Sequence, residues 1–222
     1  MLKLNFLLDL HDGTYNANRF FLRSLLLRLG CEVTDLGVVP DRLDATIDAL
    51  RAAAQGHDLI VTSGGVSVGE EDHWRAALNQ LGTVQAWALA IKPGKPLLHG
   101  VVTAEGGRPV HVMGLPGNPV AAWVTALVAL DPLLAALEGG APRCKGWTAV
   151  AGFDWPRPDA RREFLRASLG EDGCVTLHPK QGSAMLSSCT QSDGLVDNPP
   201  GQVIRRGDPV RFLSWGQWGL VG

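Results

Sequence analysis

The chain has 222 residues, 45% hydrophobic and 19% charged, which describes an ordinary globular protein long enough to bury a medium domain plus a smaller one. A formal net charge of −2 gives no reason to expect a nucleic-acid or membrane surface. Cys31, Cys144, Cys174 and Cys189 are scattered, without CxxC spacing or a dense framework, and so predict reduced thiols in the cytoplasm.

The opening MLKLNFLLDL is apolar but short, carries Lys3 and Asp9, and lacks a small-residue cleavage site. A strand over Leu2 to Leu8 is predicted instead of a signal peptide. Asn16 and Asn18 precede a helical pattern of Phe21, Leu22, Leu25, Leu26 and Leu29 that stops at Gly30. Cys31 to Val39 reads as a strand, and Pro40 with Asp41, the expected N-cap, opens a helix whose Leu43, Ile47 and Leu50 face the core. Gly56 ends it. Leu59, Ile60 and Val61 have no polar alternation, so this strand is predicted to be buried on both faces, as in the centre of a parallel sheet. After Asp72, the residues Trp74, Ala77, Leu78 and Leu81 give a helix up to Gly82, and Val84 to Ile91 a further strand. Leu97 to Val102 and Val110 to Leu115 are strands joined by the turn at Glu105 to Arg108, and a long apolar helix runs from Val120 to Leu137.

This order predicts an α/β fold, a three-layer, mostly parallel sheet, over residues 1–140. Gly139 to Pro142 is a plausible linker. Beyond it, Phe164 to Leu169 and Cys174 to Leu177 form a hairpin, and Gly194 to Val196 and Val210 to Leu213 are short strands between turns, so residues 141–222 are predicted to form a small all-β barrel.

Three loops stand out at strand ends: TSGGVSVGEED after the buried strand, KPGKP at Lys92 to Pro96, and PGNP at Pro116 to Pro119. Thr62 and Ser63 offer hydroxyls, and Gly64 and Gly65 let the backbone approach a ligand with its N–H groups. Lys92 and Lys95 are able to neutralise an oxyanion or phosphate, held by a loop that Pro93, Gly94 and Pro96 stiffen. Such loops gathered at one edge of a doubly wound sheet make a ligand crevice. Each has a plainer reading, because turns, strand ends and solvated lysines call for the same residues. Asp72 and Asp41 are either helix caps or Mg²⁺ ligands, since Mg²⁺ takes oxygen donors and shares them with substrate phosphates. Glu70 and Glu71 read as solvated first-turn acids. His57, His73, His99, His111 and His178 show no metal-ligand spacing, Trp147, Trp155, Trp215 and Trp218 suit packing, and Arg157 to Arg162 reads as a solvated basic loop.

TSGGVSVGEED, IKPGKPL and GLPGNPV in this order resemble the molybdopterin molybdenumtransferase (MoeA-like) family, with supporting matches at Tyr15 to Arg19, Asp35 to Asp41 and Gln181 to Ser188. The resemblance runs from about Asp12 onward. It implies a molybdopterin-binding domain followed by the family's C-terminal β-barrel, and insertion of molybdate into adenylylated molybdopterin with release of AMP, assisted by Mg²⁺. Carried over, the catalytic set is Asp72, Asp41, Lys92 and Lys95, with both acids as metal ligands. Substrate binding falls to Thr62, Ser63, Gly64, Gly65, Ser67, Gly69, Pro93, Gly94, Pro116, Gly117, Asn118 and Pro119. The resemblance also implies a homodimer, with no nucleic-acid or membrane partner. Family members begin with two further domains and an acidic STGDEL-type segment that MLKLNFLLDLHDG replaces here, and they commonly carry Asp where this chain has Asn16. Two other functions are consistent with the same residues: a non-catalytic pterin- or nucleotide-binding module, and adenylyl transfer onto molybdopterin, against which the appended β domain argues.

Overall fold

The computed structural model of the chain describes residues 2–9, 18–64 and 73–220. Its first sheet has the strand order β2-β1-β3-β7-β6-β4, from β1 (Lys3–Asp9), β2 (Glu32–Val39), β3 (Leu59–Ser63), β4 (Gly82–Ala88), β6 (Pro96–Thr103) and β7 (Pro109–Leu115). The four strands β2, β1, β3 and β7 run parallel, and β6 is antiparallel to both β7 and β4. The carboxyl ends of β2, β3, β7 and β4 therefore share one rim.

Every residue of β3 is buried, as its unbroken apolar run requires, because each face is covered. Leu59 and Val61 join a core with helix α1 (Asn18–Arg28) and the long helix α4 (Pro119–Leu137). Ile60 points the other way, into a core with α2 (Leu43–Ala54) and α3 (His73–Leu81). This is the expected three-layer arrangement. Mean hydropathy of 2.0 and 19 residues would let α4 cross a bilayer, yet 61% of its apolar stretch is buried inside the protein. Its middle, Ala126–Leu130, widens into a π turn in which the Asp131 N–H bonds the Ala126 carbonyl five residues back. The wide turn lies just ahead of Pro132, which has no N–H to give the helix.

Residues beyond the linker form a closed five-stranded barrel from β8 (Trp147–Ala151), β9 (Arg162–Leu169), β10 (Cys174–Leu177), β11 (Gly194–Asn198) and β12 (Pro209–Ser214). They pair in the ring β8-β12-β11-β9-β10-β8. One strand expected in the first sheet divides. Val84 to Ile91 does not continue as one element: β4 ends at Ala88, and β5 (Ile91–Lys92) leaves to pair in parallel with β9, Ile91 opposite Arg162 and Lys92 opposite Glu163.

The two units share one apolar core, in which Phe164, Leu195, Leu213, Trp215 and Trp218 meet residues of α1 and α4. Trp123 of α4 packs edge-on against Trp215, with centroids 5.9 Å apart. The run RPDARR is not a solvated loop, as its composition suggested. Arg161 is bound to Asp159, Arg162 donates to Asp197 (Nη2 to Oδ2, 2.8 Å), and Arg211 approaches Asp197 at 3.5 Å.

His99 and His111 stack across β6 and β7, rings 5.4 Å apart and 8° from parallel, with Nε2 and Nδ1 at 3.2 Å. Burial pushes the His99 ring below the usual imidazole range, and a charge on His111 would act in the same sense. A histidine that resists protonation only when folded adds stability that is complete above its unfolded pKa of about 6.5 and is lost as pH falls below it through the lower folded value. The melting temperature is therefore expected to drop as pH falls below about 6.5, and to drop less in His99→Gln. An identical pH slope in the variant would remove His99 as the cause.

Candidate active site

The rim at the carboxyl ends of the parallel strands is held by hydrogen bonds from a residue that sequence reasoning took only for a helix-start polar group. Asn18, at the first position of α1, is buried and sends its amide across the rim, donating to Ser63 Oγ at 2.8 Å and to the Gly117 carbonyl at 2.8 Å. Ser63 Oγ donates in turn to the Pro116 carbonyl at 3.1 Å, and the Gly64 N–H to the Leu115 carbonyl at 3.1 Å. Ser63 and the Gly64 amide, proposed as ligand donors, thus serve as scaffold. They fix the glycine turn against PGNP so closely that a Cβ on Gly117 would sit 3.7 Å from the Gly64 Cα. Thr62 is fully buried, and its hydroxyl has no hydrogen-bond partner among the described residues. Gly65, Ser67, Gly69, Asp72 and Asn16 lie outside the described residues.

The second loop reaches the same rim by a different route. KPGKP is a strand-to-strand connection, joining β5 to β6, whereas the other two loops lead from a strand into a helix. Gly94, with φ of 100°, rests on α4: a Cβ there would meet Thr125 Oγ1 at 2.6 Å and the Ala121 carbonyl at 3.4 Å. Pro93 is buried and Lys95 exposed. The Lys92 ammonium is drawn to the barrel, 3.3 Å from Glu163 Oε1 and 3.3 Å from Asp159 Oδ2. Arg161 donates to Asp159 and holds that carboxyl well below the usual carboxylate range, so it stays ionised beside Lys92.

PGNP starts α4 with Pro119 at its first turn and Asn118 as N-cap, with no side-chain cap bond. The barrel supplies a partner: the Val120 N–H donates to the Ser183 carbonyl at 3.1 Å. Ser183 belongs to QGSAMLSS, a segment held by Arg166, a fully buried guanidinium that donates to the carbonyls of Lys180 (3.3 Å) and Gly182 (3.0 Å). The Gln181 amide is tied to the Arg166 backbone in both directions, at 3.0 and 2.8 Å.

Asp41 is not the N-cap of α2. Arg42 takes that position, pairs with Asp44 in the first turn, and the cap makes no side-chain bond. The Asp41 carboxylate instead faces the start of α3, 3.6 Å from His73 Nε2, at the mouth of a cleft of about 510 Å³ that Leu43, Ile47 and Gln80 also line. A carboxylate at this cleft is the kind of donor Mg²⁺ takes, since the ion keeps most of its waters and needs one or two carboxylates plus substrate phosphates. Among the described residues no three acidic, histidine or cysteine groups converge as a closed cage.

The arrangement gathers a glycine turn, a lysine loop and a helix N-terminus at one rim, which together favour an anionic ligand. Residues 7–136 match the family model described as the probable molybdopterin binding domain. The chain belongs to that family. Residues 148–215 match the MoeA C-terminal region, its domain IV. The chain is 38% identical over 192 residues to a Haemophilus influenzae protein named molybdopterin molybdenumtransferase, covering 82% of this chain and 45% of that one. A protein of the same name from Synechococcus elongatus is 37% identical over 203 residues, 90% of this chain and 49% of its own. The crystal structure of the molybdopterin biosynthesis MoeA protein from Pyrococcus horikosii superposes with a TM-score of 0.74 at 26% identity, over 96% of this chain and 54% of that one. The chain spans about half the length of the curated relatives it matches.

Proposed function

We propose that this chain acts in molybdenum cofactor biosynthesis by inserting molybdate into adenylylated molybdopterin with release of AMP. The observation that carries this reading is the meeting of the glycine turn, KPGKP and PGNP at one rim, tied by Asn18 on one side and by the Ser183 carbonyl on the other, with Gly94 packed against α4. The rim receives the pterin's phosphate beside the glycine turn, whose Ser63 hydroxyl and Gly64 N–H hold the backbone in place for it. Lys95, exposed at the loop tip, neutralises the molybdate oxyanion together with Lys92. The prolines keep the loop from paying ordering entropy when the ligand arrives. Asp41 and Asp72 would hold Mg²⁺, which supplies charge neutralisation for the phosphate. The protein is proposed to work as a cytoplasmic homodimer, in keeping with four free thiols.

The test is direct. Incubation with adenylylated molybdopterin, Mg²⁺ and molybdate is expected to release AMP in a molybdate-dependent way. Lys95→Ala is expected to raise the molybdate KM about tenfold, the equivalent of one exposed ion contact of about 1.4 kcal/mol. No AMP and no pterin binding would end this reading. Pterin binding without AMP would favour a non-catalytic module, and ATP-dependent adenylylation of molybdopterin would move the chain to the adenylyl-transfer reaction.

A further inference from the structure

Glu163 is a buried carboxylate whose two oxygens face different domains. Its Oε2 accepts from Trp155 Nε1 at 2.8 Å and from the Asp159 N–H at 3.0 Å, both within the barrel. Its Oε1 faces out of the barrel to the Lys92 ammonium at 3.3 Å. The side chain is 1% exposed, whereas that of Lys92 is 45% exposed. The β5 and β9 backbones set this meeting, because Lys92 stands opposite Glu163 in their pairing, and Arg161 reinforces it with a bond to the Ile91 carbonyl at 3.4 Å. A neutral glutamine would still offer an acceptor oxygen to the two barrel donors. The negative charge faces Lys92 at 3.3 Å and also acts on the neighbouring Arg161.

We propose that Glu163, assisted by Asp159, is a positioning residue for the oxyanion site: the barrel fixes the Lys92 ammonium and, through it, the KPGKP loop before the ligand binds. This rests on the reading above that the loop receives molybdate. A lysine side chain loses rotamer freedom when it is fixed, and a pair of carboxylates that already holds it in place removes that cost from the binding step. The barrel thus sets the geometry of a cation that the first domain presents.

Glu163→Gln separates this role from folding, because its amide oxygen still accepts from Trp155 and Asp159 while its NH₂ turns a donor toward Lys92. In the full chain, molybdate binding measured by calorimetry is expected to weaken about tenfold in Glu163→Gln, with KM for molybdate rising and kcat within about twofold of wild type. Asp159→Asn, at a more exposed acid, is expected to shift binding in the same direction by less. In a Lys92→Met background Glu163→Gln is expected to add nothing further, which a general structural role would not predict. Unchanged or tighter molybdate binding in Glu163→Gln, or the same loss with Lys92 already replaced, would overturn the inference while leaving the proposed function standing. Failure of the wild-type chain to bind molybdate would end both.

Discussion

Asp131→Ala is expected to destabilise the folded chain by about 3–5 kcal/mol, the range for breaking a buried ion pair and stranding its partner. Asp131 is 1% exposed at the start of the second half of α4, just after the π turn. Its Oδ1 accepts from Arg143 Nη1 at 2.7 Å, and its Oδ2 from both the Arg143 N–H and Trp218 Nε1 at 3.1 Å. One carboxylate therefore binds the helix, the linker that follows it and the C-terminal turn. Arg143 carries the connection further, donating to the Leu29 carbonyl at the end of α1 at 2.7 Å. Alanine would leave the Trp218 N–H buried without its acceptor and Arg143 with only the partly exposed Glu138 as counter-charge, 3.2 Å away. Asp131→Asn keeps one acceptor and should cost about half as much, while Trp218→Phe removes a single hydrogen bond and should cost about 1 kcal/mol. Urea unfolding with an unchanged m-value would measure these differences as stability. A shift below about 1 kcal/mol for Asp131→Ala would mean that the shared apolar core, not this carboxylate, joins the two units.

Gly94→Ala should be the most damaging small substitution at the rim. The φ of 100° is a conformation that residues with a Cβ rarely adopt, and holding one there costs about 1–3 kcal/mol. The new methyl would also stand 2.6 Å from Thr125 Oγ1, closer than packing allows. Both effects push KPGKP off α4, so the loss should fall chiefly on molybdate affinity, by about a hundredfold or more, with a modest fall in melting temperature. Thr125 makes the two effects separable. Its hydroxyl is buried without a hydrogen-bond partner among the described residues, so Thr125→Ala alone should have a small effect and should recover part of the Gly94→Ala defect by removing the clash but not the backbone strain. No recovery in the double variant would assign the whole defect to the backbone.

What the sequence revealed was mostly local. The unbroken apolar run of β3, the leucine spacing of α1 and the hairpin at Gly170 to Gly173 each carry their own signal, and the structure has them where the periodicity put them. What stayed hidden depends on distant partners. Nothing near Ile91 marks that it leaves one sheet for another, since its acceptor strand lies 71 residues on at Arg162. The acids that meet Lys92 lie in a stretch whose charges looked solvated, and Asn18 reaches Ser63 and Gly117 from a position that reads as an ordinary helix start. Glu163 had one faint signal: a lone carboxylate beside Phe164 and Leu165 in a strand is hard to place in water. Asp41 is not the cap because α2 begins at Leu43, one residue later than an Asp41 cap requires.

The excursion of Ile91 and Lys92 into the barrel bears on how such proteins can be reshuffled over evolutionary time. A gene fusion that exchanged only the C-terminal module would meet a host still carrying the dipeptide shaped for the old one, and a donor strand with its edge cut for a guest no longer there. The two modules are matched by a key embedded deep in the first of them, so descent is expected to carry them as a pair.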